Sequence, residues 1–198
     1  MRAILGLLFV LPASASLLQA QTDYYAGLGV TLGTALVQDR IVEGIEVRQG
    51  LAPTLTLGAG LPITPRYRAG LEAALTSSGY HSKENGGETD LGTLRTGSIV
   101  LGLDGPIVST VRWRAGVGLL TYWPSEEQGI FLRGGTTRFL AGAGVDYRRP
   151  IMSKWDLMAS LRYDFHRFTT GELRARGFGQ NQGVQRISAW LGLARGTQ

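Results

Sequence analysis

The chain has 198 residues, 43% of them hydrophobic and 18% charged, with a formal net charge of +5 and a mean hydropathy of +0.03. It contains no cysteine, which excludes a disulfide framework, a thiolate zinc site and a lipid-modified N-terminal cysteine. Of the 20 basic residues only Lys83 and Lys154 are lysine, and the arginines stand singly where a nucleic-acid surface would cluster them, so nucleic acid is not expected as a partner.

Residues 1–20 read as a secretory signal peptide, with Arg2, an apolar run from Ala3 to Leu11, then Pro12 and small residues. Ala13-Ser14-Ala15 and Ala20 before Gln21 are the candidate cleavage points. Pro12, Ser14, Ser16 and Gln19 interrupt the run short of the roughly 20 apolar residues of a spanning helix. Residues 21–198 are expected to form one domain.

From Tyr24 onward the chain alternates with a period of two over eight stretches: Tyr24 to Val37, Ile45 to Leu61, Arg66 to Ser77, Asp90 to Leu103, Val108 to Trp123, Thr136 to Arg148, Lys154 to Phe168, and Val184 to Ala194. The clearest is Trp155 to His166, where odd positions are apolar or aromatic and most even ones are polar. Short connections at 62–65, 104–107 and 149–153 carry turn residues. They alternate with longer ones at 38–44, 78–88, 124–135 and 169–183. That alternation suits an all-β fold, an eight-stranded antiparallel up-and-down transmembrane β-barrel with periplasmic turns and extracellular loops. An even strand number brings both barrel ends of the chain to the periplasmic side.

Parity then assigns faces. Leu28, Leu57, Leu71, Leu101, Val117, Ala143, Leu161 and Leu191 point outward with their neighbours two residues away. Tyr24, Tyr67, Trp113, Tyr147 and Trp155 share this parity at the periplasmic strand ends and form one aromatic girdle. Trp123, Phe139, Tyr163 and Phe165 supply a looser second one. The opposite face carries many glycines, including Gly27, Gly29, Gly58, Gly116, Gly118, Gly142 and Gly144. A soluble, lipocalin-like ligand-binding barrel would also alternate, yet its water-facing exterior would carry Lys and Glu in place of glycine. Inside a narrow barrel the glycines make room for long side chains. The expected interior polar network is Arg68, Glu72, Arg112, Arg114, Asp146, Asp156, Arg162, Asp164 and Arg186, with Arg112 and Arg114 beside Asp146.

In strand spacing, aromatic ends and Gly-rich inner parity, Tyr24 to Ala194 resembles the small eight-stranded outer-membrane barrels of the OmpA and OmpX type. The resemblance implies an integral protein in the outer membrane of a Gram-negative-type cell envelope. In that family the last strand commonly finishes on an aromatic residue read by the insertion machinery, whereas here it finishes Trp190-Leu191-Gly192-Leu193-Ala194. Either Leu193 substitutes in that signal or the machinery reads it differently.

Chemistry-bearing constellations are weak. His166, near Asp164, invites comparison with outer-membrane lipid A deacylases, which use a His with a Ser two residues on, but position 168 is Phe. His81-Ser82 with Glu84 falls in an expected loop. Two histidines this far apart and no cysteine make no metal site, and no cofactor is expected. The Gly27-to-Gly33 strand lacks the Lys-Ser/Thr pair of a phosphate loop. The expected role is structural or surface-interacting and non-enzymatic, with an outer-membrane lipid A-modifying enzyme as the alternative. Membrane lipids are the expected partners, among them lipopolysaccharide through its phosphates, to which Arg binds bidentately. A surface ligand at the loops, where Arg174 and Arg176 flank Ala175, is a further candidate, and the barrel is expected to be a monomer.

Overall fold

The computed structural model describes residues 22–38, 45–84, 87–177 and 182–195. The expected signal peptide lies outside the described residues. Alternating apolar and small or polar residues give ten strands: β1 Asp23–Gly33, β2 Val37–Gln38, β3 Glu46–Gln49, β4 Ala52–Pro62, β5 Arg68–Glu84, β6 Gly87–Val108, β7 Val111–Pro124, β8 Thr136–Met152, β9 Trp155–Phe168 and β10 Gln182–Arg195. β1, β4, β5, β6, β7, β8, β9 and β10 close a ring of eight antiparallel strands, sealed by β1 against β10 from Tyr24↔Arg195 to Gly33↔Arg186. Closure gives each of these eight strands a partner on both sides within the ring, which is what a strand structure needs to sit in lipid.

Several expected boundaries move. The first strand stops at Gly33 rather than Val37, and Val37–Gln38 pairs instead with β3. The second divides at Gly50, whose N–H donates to the Gly79 carbonyl at 3.0 Å, so that β3 lies on the upper part of β5 while β4 lies on β1. Residues 78–88, expected as a loop, are mostly strand: β5 and β6 continue as a ribbon with Tyr80 and Ser82 buried on one face. The polarity of this segment had masked its alternation. The turns expected at 104–107 and 149–153 shift to Ser109-Thr110 and Ser153-Lys154. Pro106 and Pro150 each sit in a strand immediately before a register shift, where the missing N–H costs no ladder bond. Two long loops fold inward, carrying a 3-10 turn at Gly129–Phe131 and a short helix α1 at Gly171–Ala175.

The expected parity is realised around the ring. Leu28, Leu191 and Phe139 are 69%, 63% and 65% exposed, while the intervening positions are occluded. Such a continuous apolar exterior belongs against hydrocarbon, and the exposed Tyr24, Tyr67, Tyr147 and Trp155 bound it at one end, with Trp123, Phe139, Tyr163 and Phe165 at the other. Trp113 is half-buried, its ring 6.3 Å from that of Tyr67. Inward glycines answer to crowding: a Cβ on Gly58 would overlap the Tyr25 ring, and one on Gly142 would overlap the Asp164 carboxylate.

Candidate functional site

The interior is filled in tiers. At the periplasmic end Asp23, at the start of β1, pairs with Arg68 and, at 3.1 Å, with Arg148. Arg112 binds Asp104 at 2.5 Å and also donates to the Arg66 carbonyl at 3.1 Å. This corrects the expected pairing of Arg112 with Asp146. The two are register neighbours, but Asp146 is already engaged by Arg114 at 2.7 Å and by the Ser160 hydroxyl at 2.7 Å.

One tier higher, Glu72 is the hub. It accepts from Arg114 at 2.5 Å, from the Tyr25 hydroxyl at 2.9 Å and from Arg162. Arg114 in turn donates to the Tyr25 oxygen at 2.6 Å and lies over the Tyr25 ring, which stacks on Trp190 with centroids 5.7 Å apart. Arg162 also faces Asp164 at 3.3 Å. The cavity left among Arg68, Glu72, Asp104, Arg114, Arg148 and Arg162 has a volume of about 20 Å³, room for about one water. Asp156 does not join this network: it is half-buried beside Pro150 and Ala194 and has no ion pair among the described residues. Arg186 also stays outside it, donating to Thr96 at 3.2 Å within a belt of hydroxyls in which Thr31 meets Thr54 and Ser188, and Thr76 meets Thr96.

The extracellular third is mainly apolar, with Arg138 and His166 set among its aromatic rings. Tyr80, Leu94, Leu120, Tyr122, Leu140, Phe168 and Val184 face inward beneath Ile130 and Phe131 of the 3-10 turn and Leu173 of α1. Phe131 lies 5.8 Å from Tyr80 and 5.9 Å from Phe168 between centroids, both edge-on. The Thr170 hydroxyl joins the two loops, donating to the Ile130 carbonyl at 2.6 Å and accepting from the Leu173 N–H at 3.1 Å. Glu172 adds a latch between them, accepting from Arg176 at 2.9 Å and facing Arg133 at 3.3 Å. The hydrogen bond from Arg176 and the nearby guanidinium charges hold the Glu172 carboxyl below its ordinary value. This lid is absent from the sequence reading, though inward apolar residues at the extracellular strand ends, Leu94, Leu120 and Leu140 among them, are its visible signal. The network residues Asp23, Tyr25, Asp104 and Arg148 were missed as well, because they fall at strand ends or within an expected turn.

His166 is 1% exposed below this lid, its Nε2 2.6 Å from the Tyr122 oxygen. His81 sits apart on the ribbon, 3.8 Å from Asp90.

Three solved structures of small outer-membrane proteins share the fold at a TM-score of 0.53. They are Neisserial surface protein A (12% identity, 88% of this chain and 96% of that one), OprG from Pseudomonas aeruginosa (13%, 88% and 95%), and AlkL in lipid bilayers (15%, 88% and 90%). The chain is an eight-stranded outer-membrane-type β-barrel. No protein-family model matches it, and neither does any curated protein. At such identities the likeness shows the fold, and the filled interior and the lid stand on this chain's own residues.

Proposed function

We propose that the protein acts in the outer membrane as a sealed, non-enzymatic barrel with a structural or surface-interaction role, working as a monomer. The observation that carries this reading is the double closure of the interior. The Glu72 hub and its arginines fill the periplasmic half, and the Phe131 lid covers the other end. Eight strands leave an interior only wide enough for side chains, and here the side chains occupy it. The same closure argues against the lipid A-modifying alternative, since a general base must reach the proton it takes and His166 is shut off from both water and lipid. Planar-bilayer recording tests the reading: the wild-type protein is expected to give no persistent open events. Steady conductance from the unmodified barrel would overturn it.

A further inference from the structure

Below the β5–β6 ribbon, which carries exposed Lys83, Glu88 and Asp90, charge is sorted by face in this barrel. The interior holds carboxylates and guanidiniums together, Asp23, Glu72, Asp104, Asp146 and Asp164 among them. On the outward positions of β1, β4, β7, β8, β9 and β10, and of β6 from residue 95 to 103, every charged residue is an arginine: Arg95, Arg149, Arg167 and Arg195. All four are exposed, and none has a carboxylate partner among the described residues.

Each of them adjoins a girdle aromatic. Arg95 is register partner to Trp123, and Arg167 lies two residues beyond Phe165 on the same face, both at the extracellular rim. Arg149 lies two residues beyond Tyr147, and Arg195 pairs in register with both Tyr24 and Trp155, at the periplasmic rim. Girdle aromatics sit at headgroup depth, so these guanidiniums sit where lipid phosphates are.

We propose that the four outward arginines form two phosphate-binding rims, Arg95 and Arg167 on one leaflet and Arg149 and Arg195 on the other, occupied by anionic lipid headgroups of the surrounding bilayer. The proposal rests on the membrane-spanning reading of the barrel and deepens it by naming the partner. Three features select that occupant. Outward carboxylates that would repel phosphate are absent from these strand positions. The planar guanidinium fork matches phosphate bidentately, which an ammonium does not. All four side chains are exposed beside the apolar belt, where an arginine stem can cover apolar surface while its head reaches the interface.

The test uses the full-length barrel folded into phosphatidylcholine vesicles with and without diphosphoryl lipid A or phosphatidylglycerol, followed by detergent extraction and native mass spectrometry of retained lipid. Wild type is expected to retain both anionic lipids over phosphatidylcholine. R95Q/R167Q and R149Q/R195Q should each weaken retention by about fivefold per arginine removed, the factor implied by about 1 kcal/mol for each basic residue near an anionic surface. The Arg→Lys versions, which keep charge and lose the fork, should fall between. Retention of anionic lipid unchanged in both glutamine pairs would overturn the rims while leaving the sealed-barrel reading intact. Release of the lipid by inorganic phosphate would assign the arginines to free phosphate and equally overturn it. Failure of the wild type to fold into any vesicle would strike the spanning reading itself.

Discussion

Arg162 on β9 and Glu72 on β5, ninety residues apart in sequence, meet inside the periplasmic half of the barrel, where the same carboxylate also receives Arg114 and Tyr25. Strand order brings them across the lumen: the two lie on strands that share no ladder. A single carboxylate thus stabilises two buried cations.

Removing that carboxylate should be costly. Glu72→Ala leaves Arg162 and Arg114 short of their shared counter-charge, and breaking a buried pair costs about 3 to 5 kcal/mol. Glu72→Leu combined with Arg162→Leu should cost less than the sum of the two single changes, because no orphan cation remains at Arg162. Urea unfolding from lipid vesicles measures both, and additive losses would count against Glu72 as the hub.

Leu101, 62% exposed and in register with Leu71, lies within the apolar belt. Arginine on the lipid face near the midplane costs about 2 to 4 kcal/mol. Leu101→Arg should therefore reduce folding yield into vesicles far more than Glu127→Arg in an exposed loop. Equal yields would contradict the assignment of that face to lipid.

Because the two closures lie in series, opening one should not open a path. Phe131→Ala should loosen the lid, seen as faster hydrogen exchange around Leu173, without producing conductance. Leak is expected only when Phe131→Ala is joined to Arg114→Ala, which also removes the guanidinium bridging Glu72 and Asp146. Persistent channels from Phe131→Ala alone would show the charge tier to be permeable.

The latch at Glu172 sets a pH dependence. Its folded-state value is depressed, chiefly by the hydrogen bond from Arg176, so its contribution to lid stability is fully present above the ordinary glutamate value of about 4.3. That contribution is lost as pH falls from there through the folded value. Hydrogen-exchange protection across Gly171–Ala175, measured relative to the intrinsic rate at each pH, should fall over that acidic window in wild type, and Glu172→Gln should remove that fall while lowering protection at neutral pH. Protection in the wild type that stays constant across that window would rule the latch out.

Gly58 faces the Tyr25 ring, which is fixed between Trp190 and Arg114, so a methyl there has nowhere to go. Gly58→Ala should destabilise by about 1 to 3 kcal/mol, as overpacking does. Gly50→Ala, whose Cβ would approach only the Gly79 oxygen at 3.5 Å, should cost much less in the same unfolding assay.

The alternation of single strands was enough to read the barrel, its outward face and its girdles, because a period of two fixes both faces at once. Partner choice inside was harder. Arg112 finds Asp104 in place of Asp146 because Arg114 and Ser160 compete for the latter, and such competition depends on side-chain reach across the lumen rather than on position in a strand. Pro106 and Pro150 read as turns because proline usually breaks a ladder, and only the adjacent register shifts make room for them within strands. The lid is not legible in the sequence for another reason: Phe131 and Leu173 lie in segments whose polar neighbours suggest solvent, and their burial depends on two loops distant in the chain meeting over the lumen.

The pairing of β1 with β10 also dictates the order of events during assembly. β1 must wait for β10 to be available before its second edge is covered, so the ring is completed only once the residues up to Arg195 are present. Until then both edges are adhesive, and the least local contacts in the molecule form last. A nascent or truncated chain without β10 is therefore a species that needs escorting, and biogenesis of this protein is a matter of keeping two open edges from finding the wrong neighbour.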